Sequence, residues 1–401
     1  MVAIYTLASA LHDAKAVDAA ARSFLDSLGI EYSLKGDDFS DYGSELSLIC
    51  ILTGGTEGLF KEVLPVIKGL SRQRIFLLAS GRSNSLAASM EIMSYLRQNG
   101  LRGEILHGSP AYIRSRIESV AKVEDARRSL EFTTVGVIGA PSDWLIASHA
   151  DPEAVYDRLG VNVESIPMEE FMDEYSSLED VGDRALEGLP DPCGEIPSAV
   201  RASLPGADRI YRALRNLAAK RGLSGLTVRC FDLLTSVHNT GCLALARLNS
   251  EGIVAGCEGD IPALLSMIVG KSVSGRSGFQ AIPSCMDLES GEFVFSHCTV
   301  PLDMVSSFSL DTHFESGIGV GIHGELPLGP VTVFKVSGDL SRHFACEGEL
   351  LRNEYSRDLC RTQVVLRLPD QAFRYFLTDP IGNHHVIFPG HCAAALEELL
   401  K

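Results

Sequence analysis

Short apolar runs alternate with amphipathic stretches through the first third of the chain, and this alternation leaves few folds open. The runs at 2–7, 46–52, 74–78 and 103–106 have strand length, and the stretches at 14–28, 59–69, 86–99 and 111–129 carry helical periodicity. Strands joined through helices pair in parallel, because a parallel pair needs a long crossover. A mostly parallel sheet with helices on its faces is therefore expected. The loops Thr53-Gly54-Gly55-Thr56-Glu57 and Ser80-Gly81-Arg82-Ser83-Asn84 follow strands. They fall at the carboxyl edge of such a sheet, where ligands usually bind.

A second α/β segment opens with a strand at 134–138, ending in Gly139-Ala140-Pro141-Ser142-Asp143-Trp144. The stretch 179–196, rich in Gly, Pro and acids, reads as an irregular connection. A helix at 207–220, a strand at 226–230 and a helix at 241–248 follow. Beyond about residue 295, period-two alternation takes over at 317–324, 330–337 and 362–368, the mark of an antiparallel β unit. A helix closes the chain at 392–400. The expected fold is α/β in three domains: a parallel-sheet domain over 1–130, a second α/β domain over 131–295, and a β-rich domain over 296–401.

Charge narrows the function. A net charge of −17, with no basic block longer than two residues, excludes nucleic acid and anionic membrane as partners. The 10 cysteines form no C-x-x-C pair, which argues against a zinc ribbon or a thioredoxin-like motif. They read mostly as small buried residues of a reducing cytoplasm. Residues 1–12 lack a basic leader and read as a strand, so neither a signal peptide nor a membrane span is expected.

The chemistry concentrates in the second half. In Cys257-Glu258-Gly259-Asp260-Ile261-Pro262, Asp260 suits a helix N-cap and Pro262 the first turn. Glu258 is left on the approach loop among apolar residues, as a functional or a merely solvated carboxylate. A second acid, Asp287, follows the apolar run Ile282-Pro283-Ser284-Cys285-Met286. Two carboxylates at successive strand ends can converge on one divalent cation with an imidazole beside them. Surface placement explains Asp287 equally well. Late in the chain stands Gly382-Asn383-His384-His385-Val386. Adjacent side chains on a strand point to opposite faces, so only one of the two histidines can face a shared site. His297, ending the run 292–296, is a further candidate, whereas His238, His313, His323 and His343 read as structural or solvated. Gly319-Val320-Gly321-Ile322-His323-Gly324 fits a dinucleotide-binding pattern but lies in an alternating β region, not a strand-to-helix turn, so that reading fails.

Taken in order, these segments resemble the L-fucose isomerase and L-arabinose isomerase superfamily, in particular its shorter members. The matching pieces are 53–57, 84–89, 141–148, 257–262, Met286-Asp287, 296–298, 313–317 and Asn383-His384-His385. The resemblance implies a Rossmann-like first domain, a second α/β domain and a C-terminal antiparallel β-barrel-like domain. It also implies a manganese-type centre with Glu258 and Asp287 as ligands and His384 or His385 as the late histidine. His297 is the nearest match to a ligand that arabinose isomerases have and fucose isomerases lack. The activity implied is aldose–ketose isomerisation of a small sugar through an enediol, with Glu258 and Asp287 sharing the acid–base work. A homo-oligomer, trimer or hexamer, is implied as well, with the first-domain loops facing a neighbouring subunit. Two other functions fit the same scaffold: a non-catalytic sugar-binding protein, and a metal-dependent epimerase or lyase.

Overall fold

The structure is a computed structural model and describes residues 2–70, 74–180 and 182–401. It divides into two compact units, one ending at Asp125 and one running from Ala126 to Lys401.

The first unit is a five-stranded parallel sheet of β1 (Val2–Leu7), β2 (Tyr32–Gly36), β3 (Leu46–Ile51), β4 (Ile75–Ala79) and β5 (Gly103–Leu106), in the order β2-β1-β3-β4-β5. The helices Ala14–Leu28, Glu57–Leu70, Ser85–Gln98 and Pro110–Leu130 connect these strands or follow them. Every residue of β3 and β4 is buried, as in a sheet covered on both faces. The unforeseen strand is β2. It is an edge strand, half-buried throughout, so its apolar signal is weak.

The second unit begins with another parallel sheet: β6 (Thr134–Ile138), β7 (Asn162–Ile166), β8 (Gly225–Val228) and β9 (Val254–Cys257), ordered β7-β6-β8-β9. Val181 lies outside the described residues, and among the described residues of 179–196 the one regular element is a short 3-10 turn, Gly182–Leu186. A buried helix, Ile261–Ser274, leads from β9 to β10 (Phe279–Asp287) and β11 (Glu292–His297). The hairpin β12 (Ser307–Asp311) and β13 (Gly321–Glu325) follows, then β14 (Gly329–Val336), β15 (His343–Glu354), β16 (Thr362–Arg367) and β17 (His385–Pro389). Six of these strands close an antiparallel barrel in the order β10-β11-β16-β15-β14-β17. Its interior is one cluster that includes Phe279, Phe293, Phe295, Val331, Val333, Leu366 and Ile387. The barrel therefore starts at Phe279, ahead of the expected change of texture near residue 295. β10 and β11 belong to it and not to the second parallel sheet.

The fold is thus α/β, with two parallel sheets followed by a closed antiparallel barrel. Among the described residues, no helix is long and apolar enough to cross a membrane.

Candidate functional site

Glu258 directly follows β9, at the carboxyl edge of the second parallel sheet. Its φ of +66° is left-handed, a conformation that disfavours any residue with a β-carbon. The turn is held from both sides: the Ser142 N–H donates to the Glu258 carbonyl at 2.9 Å, and the Gly259 N–H to the Val228 carbonyl at 3.0 Å. Gly259 has φ +70°, and a β-carbon there would stand 2.4 Å from the Ala140 carbonyl oxygen. Only glycine fits. The strained turn presents the Glu258 carboxylate, whose Oε2 accepts from Trp144 Nε1 at 2.7 Å.

Two histidines reach the same carboxylate from the barrel. His297, the last residue of β11, is buried, with Nδ1 2.9 Å from Thr299 Oγ1 and Nε2 3.9 Å from Glu258 Oε1. His384, just before β17, is fully buried, with Nδ1 2.9 Å from Asp260 Oδ2 and Nε2 3.5 Å from Glu258 Oε1. One ligand atom from each of Glu258, His297 and His384 lies within 4.8 Å of the other two. His384 Nε2 is shut off from solvent and makes no hydrogen bond. A buried ring nitrogen without a partner, facing a carboxylate and a second imidazole, suits a divalent cation. Two imidazoles and a carboxylate form a ligand set of the kind first-row ions accept.

The electrostatics follow from burial and these contacts. Burial alone would raise the Glu258 pKa, but the His297 and His384 imidazoles beside it hold it well below the usual carboxylate range. Burial likewise opposes ionisation of Asp260, yet the Lys335 charge and the His384 hydrogen bond bring it down to about 2. Burial disfavours charge on His384, and the two carboxylates override it, pushing its pKa up to about 9. His297 is held below its ordinary value, chiefly by burial.

Two of the expected ligands lie elsewhere. Asp287 is at the turn end of the β10–β11 hairpin, paired with Glu292, while His297 is at the open end. Gln280, on the same strand, accepts from the Cys257 N–H at 2.8 Å. Asp287 is seven residues further on, about 20 Å along a strand. It is exposed, and its carboxylate accepts from Glu289 N at 2.9 Å and from Ser290 Oγ at 2.8 Å. It closes a turn and does not approach Glu258. His385 obeys the alternation rule, pointing away from His384 with Nε2 2.9 Å from the Tyr375 hydroxyl.

The structure also brings to this site residues to which the sequence reading gave no part in it. Asp260 caps the helix Ile261–Ser274 by accepting from Ala263 N at 2.8 Å, as expected, but it also holds His384 and lies 3.5 Å from the buried Lys335 Nζ. Trp144, the single tryptophan, is 51% exposed and packs edge-on against Phe231 at 4.7 Å. Phe231 in turn meets His313 at 5.8 Å. His313 is held down to about 4 by burial and by the neighbouring His297 charge. The isolated tryptophan in a carboxyl-edge loop was the available clue. A lysine in an alternating strand gives none.

No family model matches the chain. It is 25% identical over 264 residues to a sulfoquinovose isomerase of Alkalicoccus urumqiensis, a match covering 63% of this chain and 59% of that protein. It is 24% identical over 242 residues to a sulfoquinovose isomerase of Clostridium sp. (strain MSTE9), covering 57% of this chain and 49% of that one. A sulfoquinovose isomerase of Priestia aryabhattai matches at 23% over 274 residues, 64% of this chain and 59% of that protein. The chain thus spans 49–59% of the length of these curated relatives. Over more than half of its own length, it is similar to proteins that are sugar isomerases by name.

Proposed function

We propose that this chain is a metal-dependent aldose–ketose isomerase whose metal ligands are Glu258, His297 and His384. The observation that carries the reading is the buried, unpartnered Nε2 of His384 facing Glu258 and His297. Similarity to sulfoquinovose isomerases supports the reaction class and makes sulfoquinovose the first substrate to test.

Isomerisation moves a hydrogen between adjacent carbons while the negative charge on their oxygens rises and falls. A bound divalent cation supplies a Lewis-acid counter-charge for those oxygens. Glu258 is the carboxylate of the cluster that moves the proton, and the Trp144 N–H fixes the direction of its Oε2. Asp260 accepts from His384 Nδ1, which keeps Nε2 turned toward Glu258. The half-exposed Trp144 ring gives the rim an apolar face with a polar edge, suited to a sugar. As part of the same reading, the chain works as a homo-oligomer in which residues 53–57 and 80–84 serve a neighbouring copy.

The test is direct. The protein is incubated with Mn²⁺ and sulfoquinovose, L-fucose or L-arabinose in D₂O and followed by NMR. Ketose signals are expected for at least one sugar, with deuterium at carbon 1 of the ketose and, through the back reaction, at carbon 2 of the aldose. Neither signal with any of them would overturn the proposal.

A further inference from the structure

Lys335 is a charged residue buried in the barrel. It shares strand parity on β14 with Val331 and Val333, whose side chains belong to the barrel core, and its own exposure is 0%. Burying an ammonium group requires an ionic partner. Among the described residues that partner is Asp260, with Nζ 3.5 Å from Oδ1. Asp260 is also fully buried, and its other oxygen receives His384 Nδ1 at 2.9 Å and Ser148 Oγ at 3.3 Å.

Stability does not explain the pair. Replacing a buried ion pair by well-packed apolar side chains is often neutral or stabilising. What the pair does achieve is local. Lys335 Nζ, 3.5 Å from Oδ1, holds one side of the Asp260 carboxyl group and fixes its plane. Oδ2 is thereby left turned toward His384 Nδ1, at 2.9 Å. With Nδ1 so committed, the only lone pair a neutral His384 can offer is at Nε2, the atom that faces Glu258 and His297. Groups that orient a ligand imidazole in this way typically contribute 10–100-fold to metal affinity.

We infer that Lys335 is a positioning residue for the metal site, acting through Asp260 to orient His384. The inference rests on the metal-site reading above.

The experiment uses Mn²⁺ alone as the probe, titrated calorimetrically into metal-stripped full-length protein. Wild type, Lys335→Met, Asp260→Asn and the double variant are compared. Lys335→Met is expected to bind Mn²⁺ about 10–100-fold more weakly. Its melting temperature in EDTA should fall, because the buried Asp260 loses its cation, and adding Asp260→Asn in the double variant should recover much of that loss. Asparagine still caps the helix, so Asp260→Asn should fold and lose affinity comparably. If Lys335 works through Asp260, the double variant should bind no more weakly than Asp260→Asn alone. Lys335→Gln, similar in length but uncharged, takes the place of Lys335→Met should the latter not fold, with the same loss expected. Affinity of the lysine variant within twofold of wild type, or additive losses in the double variant, would overturn the inference. A wild type that binds no Mn²⁺ overturns the metal-site reading and this inference with it, an outcome separate from a failure of the variants alone.

Discussion

In the metal-free protein, His384 is a buried cation held between two acids, and its titration should be visible in stability. Asp260 Oδ2 lies 2.9 Å from Nδ1, and Glu258 Oε1 lies 3.5 Å from Nε2. Against the opposing effect of burial, these contacts push the pKa up to about 9. An unfolded histidine titrates near 6.5. A raised folded pKa stabilises fully below the unfolded value, and the stabilisation is lost as pH rises through the folded value. Between pH 6.5 and 8.5, His384 should therefore give up about 2 kcal/mol of folding stability. His297, His313 and His385 are depressed, so over the same range they act in the opposite direction. Comparison with His384→Gln removes that background. Urea unfolding in EDTA at pH 6.5, 7.5 and 8.5 should show the stability gap between wild type and variant changing by about 2 kcal/mol, in favour of the variant as pH rises. A gap constant to within about 0.5 kcal/mol, well below the expected change, would mean that His384 is not charged between the two acids. Because metal competes with the proton, Mn²⁺ affinity of the wild type should rise with pH across the same window.

Glu258→Gln should lower turnover by about 10²–10⁴-fold, whereas Asp287→Asn, on its exposed hairpin turn, should leave turnover within a few-fold; equal losses on a confirmed substrate would refute the assignment. His385→Leu strips the Tyr375 hydroxyl of its ring-nitrogen partner, and a thermal melt should show a loss of about 1–3 kcal/mol with Mn²⁺ affinity unchanged. Gly259→Ala meets both a left-handed backbone and the Ala140 carbonyl, so it should cost more than the roughly 1–2 kcal/mol of the conformation alone. It should also weaken Mn²⁺ binding; a variant as stable and as tight as wild type would contradict the turn geometry.

Periodicity along the chain determined much by itself. The covered strands of the first parallel sheet, β6 and β8 of the second, the change to an antiparallel unit, the Asp260 cap and the opposite faces of His384 and His385 follow from local rules, because strand and helix repeats are set by neighbours in sequence; the short buried β9 was not read. The half-exposed edge strand β2 escaped for the converse reason: its environment, not its residues, makes it a strand. Glu258 was legible because an acid beside Gly259, among apolar residues, is locally out of place. Which groups stand with it was not legible. Asp287 and His297 are 10 positions apart on one hairpin, and only the register Asp287↔Glu292 decides that the first is at its turn and the second at its open end. Lys335 and Asp260, 75 positions apart, meet because barrel closure brings β14 beside β17 and the buried helix against both. Contacts of that kind depend on pairing and packing between distant segments, to which no local residue pattern is sensitive, so only the tertiary structure could bring Glu258, His297 and His384 together with Asp260 and Lys335.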